Sequence, residues 1–166
     1  MIKNLNNSVL LFENYLTKER CEGFIQKYKK EKPNVDHHRQ NWLYIVDDII
    51  VKEVKQFLEG MLPIKIGGWN AGIGVWLDGL DTYPIHVHDK NVRPNNDFTT
   101  LIYLNDDFDN GEFYTENLTY KPKTGSLVFF NGMEMLHGVK KVTKNNRYYL
   151  IFWWENTVDD NNNTKT

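Results

Sequence analysis

The sequence predicts a mainly β fold, a sandwich or barrel with two N-terminal helices packed on one sheet. Two observations carry that expectation. Over residues 64–154, short β-branched and aromatic runs alternate with the turn clusters Asp78-Gly79, Pro94-Asn95-Asn96, Asp109-Asn110-Gly111 and Lys144-Asn145-Asn146. Ahead of that stretch, two segments instead repeat their apolar residues at helical spacing. A chain of 166 residues, 40% hydrophobic and 14% aromatic, fills one substantial core and is too short for two domains of usual size. One domain over residues 1–155 is expected.

In order along the chain, a short apolar strand is expected at residues 9–12. Thr17 then caps a helix whose Cys21, Phe24, Ile25 and Tyr28 recur at i, i+3, i+4 and i+7, and Pro33 lies beyond its end. A second helix starts near Asp47 or Asp48, whose carboxylates suit the N-terminal dipole. It carries Ile50, Val54, Phe57, Leu58 and Met61 on one face and ends around Gly60 and Pro63. Strands fill the remainder up to Trp154. Residues 156–166 are polar and are expected to be a disordered tail.

Composition removes several function classes. The formal net charge is -2 and no long basic run occurs, which argues against a nucleic-acid partner. The single cysteine, Cys21, cannot form an intrachain disulfide, and the N-terminus lacks a secretory pattern. A cytoplasmic, reducing setting is expected. No apolar stretch approaches the roughly 20 residues that cross a bilayer, so neither a membrane span nor a membrane partner is expected.

His86 and His88 are the first chemical signal, two apart in Tyr83-Pro84-Ile85-His86-Val87-His88-Asp89, a segment that reads as the start of a strand. Side chains at i and i+2 leave one face of a strand roughly 7 Å apart, so two imidazoles can converge on one metal while Val87 and Asp89 point away. The bland alternative is two surface histidines in a loop. His37 and His38, in the polar run Asp36-His37-His38-Arg39-Gln40, read as solvated.

Downstream stand Lys121-Pro122-Lys123-Thr124-Gly125-Ser126-Leu127-Val128-Phe129-Phe130, then Leu136-His137-Gly138-Val139 and Arg147-Tyr148-Tyr149. With residues 97–105, Gly111-Glu112-Phe113 and the helical start, these segments resemble the prolyl 4-hydroxylase-like branch of the 2-oxoglutarate and iron(II) dioxygenases. The resemblance runs over residues 9–154 and implies a double-stranded β-helix, a jelly-roll barrel, that holds one iron. It matches His86 and His137 to the two histidines of the family's two-histidine, one-carboxylate set. Arg147 stands where the family has a basic residue that pairs with the far carboxylate of 2-oxoglutarate, and a guanidinium fork suits a carboxylate bidentately. Tyr103 stands where a tyrosine hydroxyl donates to the same carboxylate. Trp153 shares strand and face with Arg147 by period-two counting and would wall the pocket, the other reading of both aromatics being simple core. Lys121, Lys123, Lys140, Lys141 and Lys144 have the charge to draw in a dianion, but read first as solvated hairpin ends.

Two positions depart from the family. Ungapped alignment puts His88 at the carboxylate position and Trp76 at that of a cosubstrate-contacting tyrosine. A neutral imidazole in place of a carboxylate raises the formal charge of the iron site by one and removes an anionic donor. A bulge at Val87 or His88 could swing Asp89 onto the metal face. Otherwise His86, His88 and His137 hold the iron, as three histidines do in thiol dioxygenases, and flat strand geometry favours this set. The implied reaction couples decarboxylation of 2-oxoglutarate to succinate with hydroxylation of a peptide or small molecule, prolyl being the first guess. Iron(II) and 2-oxoglutarate are the implied cofactors, with ascorbate as an optional accessory. Two other classes stay open: a non-catalytic barrel that keeps the metal or 2-oxoglutarate pocket, and a zinc enzyme with a hydrolytic water.

Overall fold

The computed structural model describes residues 2–6, 9–31, 35–36, 40–44, 48–80, 84–89, 91 and 97–157. In chain order the elements are β1 (Ile2–Asn6), β2 (Val9–Phe12), α1 (Lys18–Glu31), β3 (Val35–Asp36), β4 (Gln40–Tyr44), α2 (Asp48–Met61), β5 (Ile66–Trp76), β6 (Phe98–Tyr103), β7 (Asp109–Asn110), β8 (Phe113–Thr115), β9 (Thr119–Tyr120), β10 (Leu127–Asn131), β11 (His137–Val139), β12 (Val142–Thr143) and β13 (Arg147–Asn156). Eight strands form one sheet in the order β1-β2-β10-β6-β13-β5-β4-β3, and two smaller sheets run β11-β8-β9 and β12-β7. Every pairing is antiparallel.

Alternation along β13 divides the core in two. Leu150, Phe152 and Trp154 join Ala71, Ile73 and Val75 of β5 and pack against Cys21, Ile25 and Tyr28 of α1 and Ile50, Val54 and Leu58 of α2. Tyr149, Ile151 and Trp153 point to the other face, with Phe113 of β8 and Phe130 of β10. Val54 and Leu58 are fully buried, and each such side chain stabilises the helix-on-sheet layer by about 1.5–3 kcal/mol. The helices therefore brace one face, which leaves the opposite face to form the barrel interior.

Local signals place both helices. Thr17 caps α1, its Oγ1 accepting the Arg20 amide at 3.3 Å. Asp48 opens α2, whereas Asp47 lies outside the described residues. Gly60 does not end α2: the Leu62 amide still donates to the Leu58 carbonyl at 2.9 Å, and the helix stops before Pro63. Met61 is exposed and does not join the apolar face expected for it.

Several features differ from expectation. β1, β3 and β4 are additional strands. β4 pairs along β5 from Gln40↔Trp76 to Tyr44↔Gly72, so a segment with a polar start is recruited by the backbone of a long neighbour. The His86 segment is not a continuous strand but contributes one isolated bridge to His137, and Pro84 has no amide to extend a ladder. β13 includes Asn156, and the Thr157 amide donates to the Lys65 carbonyl at 2.9 Å. Asn156 and Thr157 are thus ordered at the end of the sheet and not part of the expected tail, whose residues 158–166, like His37 and His38, lie outside the described residues. No helix among the described residues is long and apolar enough to cross a membrane.

Candidate metal centre and cosubstrate cavity

Backbone pairing brings three histidines to one point. The His86–His137 bridge sets two of them, and the His88 amide donates to the Gly132 carbonyl at 2.8 Å to set the third. Ring centroids are separated by 4.6 Å for His86 and His137, 4.9 Å for His88 and His137, and 5.8 Å for His86 and His88. One ring nitrogen from each lies within 4.8 Å of the others. Two of the rings are oriented from behind: His86 Nδ1 lies 2.9 Å from the Pro84 carbonyl and His137 Nδ1 2.8 Å from that of Met135. A carbonyl only accepts, so both carry the proton on Nδ1 and keep the Nε2 lone pair for a metal.

Burial disfavours the charged form of His137 and brings its pKa down to about 4; the Met135 carbonyl opposes this and neighbouring His86 adds to it. His137 is thus neutral at physiological pH, as a metal ligand must be. Asp89 is exposed at the cavity mouth, and its carboxylate accepts the Asn91 amide at 2.8 Å. The convergent group is His86, His88 and His137, without Asp89.

The histidines open onto a cavity of about 280 Å³ whose wall also carries Trp76, Tyr149, Trp153 and Arg147. Arg147 is 1% exposed. Its guanidinium carbon lies 4.8 Å from the centre of the Tyr103 ring and 5.6 Å from that of Tyr149. Burial lowers its pKa, while Tyr103 first, then Tyr149 and Glu112, favour the cation. Arg147 Nε and Nη1 and the Tyr103 hydroxyl reach no well-aligned hydrogen-bond partner among the described residues, although guanidinium and phenol lie close enough to interact. Burial pushes Tyr103 up to about 12, partly offset by Arg147, so its hydroxyl remains a donor.

These features fit a divalent metal and a carboxylate-bearing cosubstrate. A buried cation with unused donors is costly unless an anion arrives, and a carboxylate offers two oxygens to the fork. Tyr103 is not on the cavity wall itself but packs against the guanidinium. Three of the lysines have other work: Lys121 Nζ donates to the Phe108 and Asn110 carbonyls, Lys123 pairs with Glu13 and Lys144 with Asp109. None of the five lines the cavity. Tyr149, Ile151 and Thr99 also line the wall, beyond the residues expected from the sequence. The parity that selects Trp153 from Arg147 also selects Tyr149 and Ile151, and parity with Tyr103 on β6 selects Thr99.

Residues 77–155, which hold all three histidines and Arg147, match the model of the 2OG-Fe(II) oxygenase superfamily, 2OG being 2-oxoglutarate. The chain is similar to this superfamily over just under half of its length. Prolyl 3-hydroxylase 2 of Mus musculus is 46% identical to this chain over 59 residues, which cover 31% of the chain and 8% of the mouse protein. The match therefore spans only a small part of that relative's length. Among solved structures, the viral collagen prolyl hydroxylase of Paramecium Bursaria Chlorella virus-1, in complex with 2OG, aligns with TM-score 0.71 at 18% identity over 93% of this chain and 98% of its own. A prolyl hydroxylase from Trichoplax adhaerens, in complex with a hypoxia inducible factor peptide fragment, aligns equally well, with TM-score 0.71 at 18% identity over 90% and 84%. The chain has the double-stranded β-helix fold of these two prolyl hydroxylases.

Proposed function

We propose that this chain is a 2-oxoglutarate- and iron(II)-dependent oxygenase that hydroxylates a C–H bond. In this reading His86, His88 and His137 hold the iron, and Arg147 and Tyr103 anchor 2-oxoglutarate. The observation that carries it is one cavity containing both a convergent imidazole triad and a buried guanidinium with unused donors. When bound, iron(II) couples decarboxylation of 2-oxoglutarate by oxygen to substrate hydroxylation, giving succinate, carbon dioxide and the alcohol.

The chain's own residues bind and orient. Arg147 takes the far carboxylate, the Tyr103 hydroxyl donates to the same group, and Trp76, Trp153 and Ile151 keep water from the reacting end. Peptides or small molecules are the proposed substrates, with prolyl side chains first; the peptide carried by the Trichoplax neighbour supports the peptide choice. Cys21 is a buried free thiol, in keeping with a cytoplasmic, reducing setting where ascorbate is available as an accessory reductant.

Succinate formed from 2-oxoglutarate under oxygen tests the reading. It should depend on added iron(II) and disappear in His86→Ala and Arg147→Ala. His88 supports one competing reading, a barrel that binds metal and 2-oxoglutarate without turnover, because the three convergent donors are all imidazoles and none is a carboxylate. Tight binding of both with no succinate formed would establish that alternative. Zinc found by metal analysis of the purified protein, with no succinate formed after iron(II) is added, would point instead to hydrolytic chemistry.

A further inference from the structure

Thr99 and Thr100 are neighbours on β6 and face opposite sides of the sheet. Thr100 Oγ1 accepts the Trp154 indole N–H at 2.9 Å. Thr99 lines the cavity, is 2% exposed, and its hydroxyl has no hydrogen-bond partner among the described residues. Buried hydroxyls are paired as a rule, so this one calls for a partner. Gly132 shows where it lies. A methyl group on Gly132 would stand 2.4 Å from His88 Nδ1 and 2.9 Å from Thr99 Oγ1, so ring and hydroxyl share the space that this glycine leaves open. The Gly132 carbonyl also accepts the His88 amide at 2.8 Å.

The other two histidines set a pattern, each with Nδ1 on a backbone carbonyl and Nε2 left for the metal. We propose that Thr99 is the positioning residue that does this for His88. Its hydroxyl accepts Nδ1–H, directly or through one water over Gly132, and thereby turns Nε2 to the metal. Thr99 does not touch the metal; it fixes the tautomer and the ring angle of the imidazole that stands in place of the family's carboxylate. The inference rests on the reading of His88 as an iron ligand.

Anaerobic iron(II) titration by calorimetry, together with nitrogen NMR of the metal-free protein at alkaline pH, tests it. Wild-type His88 should appear as the Nδ1–H tautomer. Thr99→Val keeps the shape and removes the hydroxyl; it should weaken iron(II) binding by roughly ten- to hundredfold and shift His88 to a mixture of tautomers. Thr99→Ser should keep both properties, and Gly132→Ala should weaken binding with Thr99 intact. A wild-type His88 found as the Nε2–H tautomer overturns the proposal without any variant. Unchanged affinity in Thr99→Val, with iron still lost in His88→Ala, overturns Thr99's role and leaves the metal centre standing. If His88→Ala binds iron like wild type, or wild type binds none, the metal-centre reading and this proposal fall together.

Discussion

His86 and His137 hold each other reciprocally: each backbone amide donates to the other's carbonyl at 2.9 Å, and their rings lie 4.6 Å apart. A two-bond exchange of this kind fixes the separation and facing of two side chains without a long ladder. His88 is tied separately, through its amide to Gly132, and the Asp89 carboxylate is engaged by the Asn91 amide.

The third iron ligand should therefore be His88. His88→Ala is expected to weaken iron(II) binding by more than about a hundredfold, beyond the loss typical of an outer hydrogen-bond partner, while Asp89→Ala stays near wild type. His88→Asp restores the two-histidine, one-carboxylate set and should raise succinate production. Calorimetric iron binding decides: loss of iron in Asp89→Ala with retention in His88→Ala would reverse the assignment.

Arg147→Ala should weaken 2-oxoglutarate binding by at least about tenfold, because a shielded charge-assisted pair contributes roughly 1.5–3 kcal/mol. Iron content should be unchanged, since Arg147 does not belong to the imidazole group. Equal 2-oxoglutarate affinity in the two proteins, measured with iron in place, would remove Arg147 from the cosubstrate site.

Much of this was legible locally. The parity of Arg147 and Trp153 on β13 implied a shared wall from backbone geometry alone, whereas His86 and His88 converge as their spacing suggested but through a bridge to His137 and a bond to Gly132 in place of the expected strand. The α1 face of Cys21, Ile25 and Tyr28 was readable for the same reason. β4 was not, because Gln40 and Asn41 lack strand character by themselves and pair only because β5 offers a free edge. Nor could the sequence show Gly132 beside His88 and Thr99. That contact brings Gly132 to two segments more than thirty residues earlier in the chain, and no local pattern encodes it.

Gly125 sits at φ +77°, and a Cβ there would lie 2.2 Å from the Leu16 carbonyl oxygen. Its amide donates to the Tyr103 carbonyl at 2.7 Å and its carbonyl accepts the Leu16 amide at 3.0 Å, so neither neighbour can move freely. Gly125→Val adds left-handed strain to a backbone clash and should cost well over about 1 kcal/mol. The thermal midpoint should fall by several degrees or more. An unchanged midpoint would mean that the turn relaxes around an ordinary residue.

The metal-free protein should lose stability as pH falls through the range between the two pKa values of His137. Its folded value is lowered to about 4, against about 6.5 in an unfolded chain. Between these values the unfolded state binds the proton and the folded state does not, so acid pulls the equilibrium toward unfolding. The contribution is fully present above about 6.5 and is lost as pH approaches 4, amounting to at most roughly 3 kcal/mol. Denaturant midpoints across this window should fall less steeply in His137→Gln than in wild type. Parallel curves for the two proteins would show that His137 titrates alike in both states and is not held neutral by burial.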